Sequence, residues 1–317
     1  MTPNAGPHQE PLQRGARHLI HAGLSRGSRL REIRAAIAAF SEFLKKNPGD
    51  RKALHGRALA YAEKSRLQGA EGGVALRCAE SDFSEMIAAD PAVAAGWQGR
   101  GIARFLHASQ CARSGEERQR LLNEAIADCS RALEIDPCDF ESLSQRGLAW
   151  ASLAGTFPAF DADIWRRSRD DYAAAARLAP DRHDILSGLS MAQLALALPR
   201  DPDISADIAG LEAAIANVSR ARALAPARPD LGRRLAQALV HLGAARALAG
   251  ADPIHDWRRA LELLAARPLD DAEAASTLSM LVACLQQAPP AVAATAACAE
   301  LLKSALEEAR RREPRSE

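Results

Sequence analysis

The sequence predicts an all-α chain arranged as an α-solenoid of about seven helical hairpins. Three observations carry this. First, 70 of the 317 residues are Ala, while aromatic residues make up only 4 %. That favours helix over the Val-, Thr- and Tyr-rich composition of a β-fold. Second, prolines recur in similar surroundings at a nearly constant interval. Third, small and large residues keep fixed offsets from those prolines.

The repeating prolines are Pro48, Pro91, Pro137, Pro180, Pro226 and Pro268, spaced 43, 46, 43, 46 and 42 residues apart. Their contexts, among them KKNPGD, AADPAV, EIDPCD and RLAPDR, place each between two helical patterns. A proline there stops one helix and sits in the turn before the next. Twelve residues before the first five prolines stand Ala36, Ala79, Ala125, Ser168 and Ala214, all small. Eight before stand Phe40, Phe83, Cys129, Tyr172 and Val218. Ten after stand Ala58, Gly101, Gly147, Ser190 and Ala236, and six after stand Leu54, Trp97, Leu143, Leu186 and Gly232. Small residues let paired helices approach, and larger ones fill the space between hairpins. The sixth proline keeps the pattern less well, with Asp256 at a position expected to be small.

Taken in order, first helices are expected near 10–24, 51–66, 92–108, 139–154, 182–198, 229–248 and 271–286. Second helices are expected near 29–47, 73–89, 116–136, 161–179, 203–225, 254–267 and 291–312. One solenoid over 10–312 is expected, with capping helices at 271–312 and disordered ends at 1–9 and 313–317. A single hairpin cannot bury both faces, whereas a stack makes one core.

The segments WQGRGIA with Trp97, Arg100 and Gly101, SQRGLAW with Arg146 and Gly147, and EAIADCSRALEIDP with Ala125, Ala132 and Pro137 resemble the tetratricopeptide repeat family. An opening QRGAR at 13–17 looks like a further first helix. The resemblance covers about residues 10–270 and is strongest over 75–180. It implies a right-handed superhelix and a docking role, since in this family first helices line a concave side that takes extended peptides or partner helices. The chain departs from the family in length. Family repeats run to about 34 residues, and here the surplus falls between the two helices of each hairpin. It includes 66–73, 110–117 and 154–161, read as extended loops, lengthened helices or both.

Carried over by offset, the family's groove positions give Lys52, His55 and Leu59 in one repeat and Gln98, Ile102 and Phe105 in the next. Ser144 and Leu148, Met191 and Leu194, and Arg233 and Gln237 follow. One row is polar with mixed charge and the other largely apolar. Leu59, Ile102 and Leu148 stand where a carboxylate clamp would need polar groups, so an apolar segment or amphipathic helix is the better guest. The alternative is that lengthened helices bury this apolar row themselves.

Nothing in the motifs points to chemistry. The sequence has no phosphate-binding glycine loop, GxSxG or HExxH, so no enzymatic activity and no cofactor are expected. His18 and His21 could share a helix face, but with no third ligand nearby in sequence the reading is an amphipathic helix rather than a metal site. Arg14, Arg17, Arg26, Arg29, Arg31 and Arg34, and the run Arg310–Arg312, read as solvated helix faces. Without interleaved aromatics they do not form a single-strand platform. A net charge of +1 provides no field toward nucleic acid or membrane. Trp97, Trp150, Trp165 and Trp257 read as core anchors.

The six cysteines have no zinc or disulfide spacing, and with no signal peptide or membrane span visible the expected compartment is the cytoplasm. The expected function is therefore a scaffold or adaptor for a protein or peptide partner of unknown identity. The alternatives are a ligand-responsive regulatory subunit and, further off, an enzyme.

Overall fold

A computed structural model describes residues 10–24, 28–198, 205–268 and 271–312. The ends expected to be disordered, 1–9 and 313–317, lie outside the described residues, as does Arg26. All regular structure among the described residues is helical. The chain divides into two compact units, Met1–Ile164 and Trp165–Glu317.

The first unit holds α1 (Glu10–Leu24), α2 (Arg29–Lys46), α3 (Arg51–Gln68), α4 (Gly73–Ala89), α5 (Ala94–Gln110), α6 (Gly115–Ile135) and α7 (Phe140–Ala154). Helix α8 (Ala162–Leu178) begins at its end and runs into the second unit. The second unit continues with α9 (His183–Ala197), α10 (Ile208–Leu224), α11 (Pro229–Leu248), α12 (Ile254–Ala265), α13 (Ala272–Gln286), α14 (Pro290–Ala293) and α15 (Ala296–Arg312). Two expected boundaries change. Helix α10 starts at Ile208, where Asp207 caps it by accepting from Gly210 N at 3.0 Å. The last expected helix is broken, because a short turn at Pro290 ends before Thr295 Oγ1 accepts from Cys298 N at 3.1 Å to start α15.

In the first unit consecutive helices from α1 to α7 pack on one another, and in the second those from α9 to α13 do. In the first unit α1, α3, α5 and α7 also touch one another in sequence, while α2, α4 and α6 stand further apart. The first helices thus form the tighter layer, which makes their side the inward-curving one in that unit.

The small residues sit at the crossings as expected. Ala36, Ala58, Ala79, Ala125, Ala214 and Ala236 are buried. In the α9–α10 hairpin the buried Ser190 Oγ donates to the Ala214 carbonyl at 2.8 Å. A further rule acts between repeats. The residue eight before a turn proline packs on the residue eight after it. Phe40 faces Gly56, Phe83 faces Gly99, and Tyr172 faces Gly188, and a Cβ on any of these glycines would lie 2.2–2.5 Å from the ring. Where the first residue is small, as at Cys129 and Val218, the second is large, Gln145 and Arg234. At these five junctions a larger residue stands opposite a smaller one, whereas at Pro268 both are small, Ala260 and Ser276.

Charge is also placed inside. Arg57 grips the buried Asp82 through Nε to Oδ2 at 2.9 Å and Nη2 to Oδ1 at 2.7 Å, and its Nη1 reaches Ser41 Oγ at 3.3 Å. Arg100 repeats this on Asp128, with bonds of 3.0 and 2.8 Å, and on Ser84 at 3.1 Å. Arg146 reaches Ser130 Oγ at 3.1 Å. Each arginine lies nine residues after its proline, and Arg57 and Arg100 each bridge two consecutive second helices. Paired, bidentate burial of this kind fixes register at a desolvation cost.

The surplus length goes mainly into helix. Residues 66–73 become the end of α3, a 3-10 turn at Gly69–Gly72 and the start of α4. Gly69 has φ +56°, and a Cβ on Gly72 would lie 2.7 Å from the Ser65 backbone, so this tight reversal requires both glycines. Of the three surplus segments, 155–161 is the long open loop, and it exposes Phe157 and Phe160.

Of the tryptophans, Trp257 is fully in the core, with its indole N–H donating to the Val240 carbonyl at 3.3 Å. Trp97, Trp150 and Trp165 are half-buried rather than core. The irregular Asp256 is buried and paired with Arg246 at 2.6 Å.

Candidate functional site

The inward layer of the first unit carries eight of the residues named from sequence. On α3, Lys52 is exposed, His55 is half-buried edge-on to Phe83 with ring centroids 6.0 Å apart, and Leu59 is 43 % exposed. Burial holds the His55 imidazole below its usual pKa and so favours the neutral ring. On α5, Gln98 donates to Asp139 Oδ2 at 2.8 Å, across to the start of α7. Ile102 packs with Ala62, Leu76 and Leu106, and Phe105 packs with Leu121, Leu122 and Leu153. On α7, Ser144 and Leu148 are half-buried.

The remaining four lie in the second unit. Met191 and Leu194 on α9 are half-buried, and Leu194 packs against Leu211 and Leu242. Arg233 on α11 pairs with Asp271 at 3.1 Å and with Glu273 at 2.8 Å. Gln237 is half-buried.

Two features of this face were not legible beforehand. The polar row is knitted to the next first helix, as Gln98 is to Asp139, Arg233 to Asp271, and Ser187 to Arg234 at 3.1 Å. The apolar row is unequal. Leu59 is open, while Ile102 is partly covered by the preceding hairpin and Phe105 by α6 of its own.

Other sequence candidates resolve individually. His18 Nδ1 lies 2.7 Å from Glu32 Oε2, a carboxylate fourteen residues away that lends the ring a partner. His21 is exposed. Among the described residues no group of three or more His, Cys, Asp or Glu side chains converges as a metal site would require. In the basic amino-terminal region Arg14 pairs with Glu42, and Arg29 with Glu63 at 2.7 Å.

The reading of Arg310–Arg312 as solvated is corrected at its last residue. The Arg312 side chain is 2 % exposed. It donates to the carbonyls of Leu264 at 2.7 Å, Pro268 at 2.8 Å and Arg267 at 3.2 Å, and to Glu308 at 3.0 Å. A guanidinium thus caps the carboxyl end of α12, where the last carbonyls lack helical donors. No helix among the described residues is long and apolar enough to cross a membrane.

The sequence matches no protein-family model and no curated protein. Among solved structures, a thermophilic TPR protein of Thermus thermophilus, TTC0263, aligns at 24 % identity over 74 % of this chain and 99 % of its own, with a TM-score of 0.51. A tetratricopeptide repeat protein from Parabacteroides merdae ATCC 43184 aligns at 14 % identity over 94 % and 98 %, with a TM-score of 0.48. The Thermus likeness shows that the chain has the tetratricopeptide-repeat fold.

Proposed function

We propose that this tetratricopeptide-repeat fold serves as a non-enzymatic, cytoplasmic interaction scaffold whose inward first-helix face in the first unit docks an apolar peptide or amphipathic helix. The observation that carries the reading is Leu59, a large apolar side chain left 43 % exposed on that layer beside the charged Lys52. Ile102, Phe105 and Leu148 continue the apolar row along α5 and α7. An apolar anchor flanked by polar positions gives affinity at one point and register at its neighbours. In the second unit Met191, Leu194, Arg233 and Gln237 extend the assignment.

The test is selection from a library of short displayed peptides. The expected winners are amphipathic sequences with two or more large apolar residues. Leu59→Asp should lose them, while Leu248→Asp, on an exposed residue at the end of α11, should keep them. Winners that bind Leu59→Asp as well as the parent would remove the first-helix face from consideration. No enrichment at all would overturn the docking role.

A further inference from the structure

The junction at Pro226 breaks a pattern that the four preceding junctions keep. Four residues before and six after each turn proline stand Leu44 and Leu54, Ile87 and Trp97, Leu133 and Leu143, and Ala176 and Leu186. Leu44, Leu54, Ile87, Leu133, Leu143 and Leu186 are all buried. Leu44 and Leu54 share one core cluster, and Ala176 packs against the cluster that holds Leu186. An apolar pair therefore closes each of these turns. At Pro226 the same two positions hold Arg222 and Gly232.

Space follows from the substitution. A Cβ built on Gly232 would meet nothing within 4 Å. Arg222, Arg228, Gly232, Arg259, Leu263 and Arg267 bound a cavity of about 520 Å³ between α10, the start of α11, and α12. That volume lies in the range of small-ligand sites.

Charge then selects the ligand. Two of the four guanidiniums are already held. Arg228 forks onto Asp230 at 2.9 and 3.0 Å, and Arg267 reaches Asp271 Oδ2 at 3.2 Å through both Nε and Nη2. Arg222 and Arg259 reach no carboxylate among the described residues. One acid, Glu262, also lines the cavity and offsets part of the charge. Helix α11 starts here at Pro229, and Asp230 in its first turn already answers the positive end of its dipole. Two guanidiniums without a carboxylate partner can both fork onto one phosphate group, which offers three acceptor oxygens. A single carboxylate offers two acceptor oxygens.

We propose that the cavity left by Gly232 is a binding site for a small phosphate-bearing anion. It is separate from the first-helix face and stands whether or not a peptide docks there.

The test is isothermal titration of the full chain at low ionic strength. Pyrophosphate and ADP serve as phosphate probes, with citrate and a hexaglutamate peptide as carboxylate probes. One saturable site is expected for pyrophosphate, ADP or both, and the tighter of the two tells an inorganic from a nucleotide source. Arg222→Gln and Arg259→Gln should each weaken it about tenfold or more. Gly232→Leu restores the side chain found at Leu54, Leu143 and Leu186. It should abolish binding while raising the melting temperature, since Gly is a poorer helix former than Leu. Three results would overturn the proposal: no saturable binding of either phosphate probe, equal binding of citrate or hexaglutamate, or undiminished binding in a folded Gly232→Leu variant.

Discussion

Arg100 and Asp128 are joined by two parallel hydrogen bonds of 3.0 and 2.8 Å, and Asp128, 2 % exposed, also receives Arg104 at 2.6 Å. Asp128 is thus a carboxylate shared between two guanidiniums on α5. Its replacement by Ala leaves both without their buried partner. The expected cost is about 3–5 kcal/mol, read as a lowered urea midpoint. The same change at the exposed Asp170 should leave the midpoint almost unmoved.

The Phe83–Gly99 contact predicts a coupled pair. A Cβ at Gly99 would stand 2.2 Å from the Phe83 ring. Gly99→Ala should therefore destabilise by about 1–3 kcal/mol through overpacking, despite the better helix propensity of Ala. Combining it with Phe83→Val, the size found at Val218, should recover part of that loss. A double-mutant cycle should return a coupling of about 0.5–3 kcal/mol, and strict additivity would refute the volume rule.

Arg312 predicts an asymmetry at the carboxyl end. Arg312→Ala removes three bonds to backbone carbonyls and should cost about 2 kcal/mol or more. Hydrogen exchange should quicken first at α12 and α15. At the neighbouring Arg311, which is exposed, the change to Ala should alter stability by less than about 0.5 kcal/mol. Equal effects at the two positions would show that Arg312 is not capping α12.

His55 predicts a pH dependence with a definite sign. Its folded pKa lies below the unfolded value because burial disfavours the charged ring. The unfolded state therefore binds the proton first as pH falls below about 6.5. Its stability contribution is complete above that pH and is lost as pH drops through the folded pKa. His55→Gln should flatten the stability profile between neutral pH and that lower value. An unchanged slope would show that the ring titrates freely.

The repeat architecture was legible because steric rules act at fixed offsets. The small residues twelve before and ten after each proline are the crossing points, as Ala79 and Ala58 show. The pairing of residues eight before and eight after was equally present in the sequence. It hid because the rule holds for the pair, Phe83 with Gly99 or Cys129 with Gln145, and for neither residue alone. The arginine bridges hid for another reason: Arg57, Arg100, Asp82 and Asp128 are charged and read as surface until burial is known. At the candidate site, the offset left open whether the apolar row was exposed or self-buried, and Leu59 is exposed. Ile102 and Phe105 are partly covered because lengthened α4 and α6 bring Leu76 and Leu121 against them. The partners of Gln98 and Arg233 lie about forty residues onward, beyond any local pattern.

The fit between Phe83 and Gly99 crosses from one repeat into the next, as do those at Gly56 and Gly188. The seams therefore carry two kinds of key, an aromatic ring on glycine and a smaller residue facing a larger one, and the repeats are not all interchangeable bricks. A unit cut at the prolines and moved can mismatch: the one running from Gln145 to Tyr172, placed after Phe83, would set two large residues against each other. A duplication or deletion with both breakpoints inside hairpins keeps each seam whole. Such breakpoints are the ones by which a chain of this kind can lengthen or shorten and still stack.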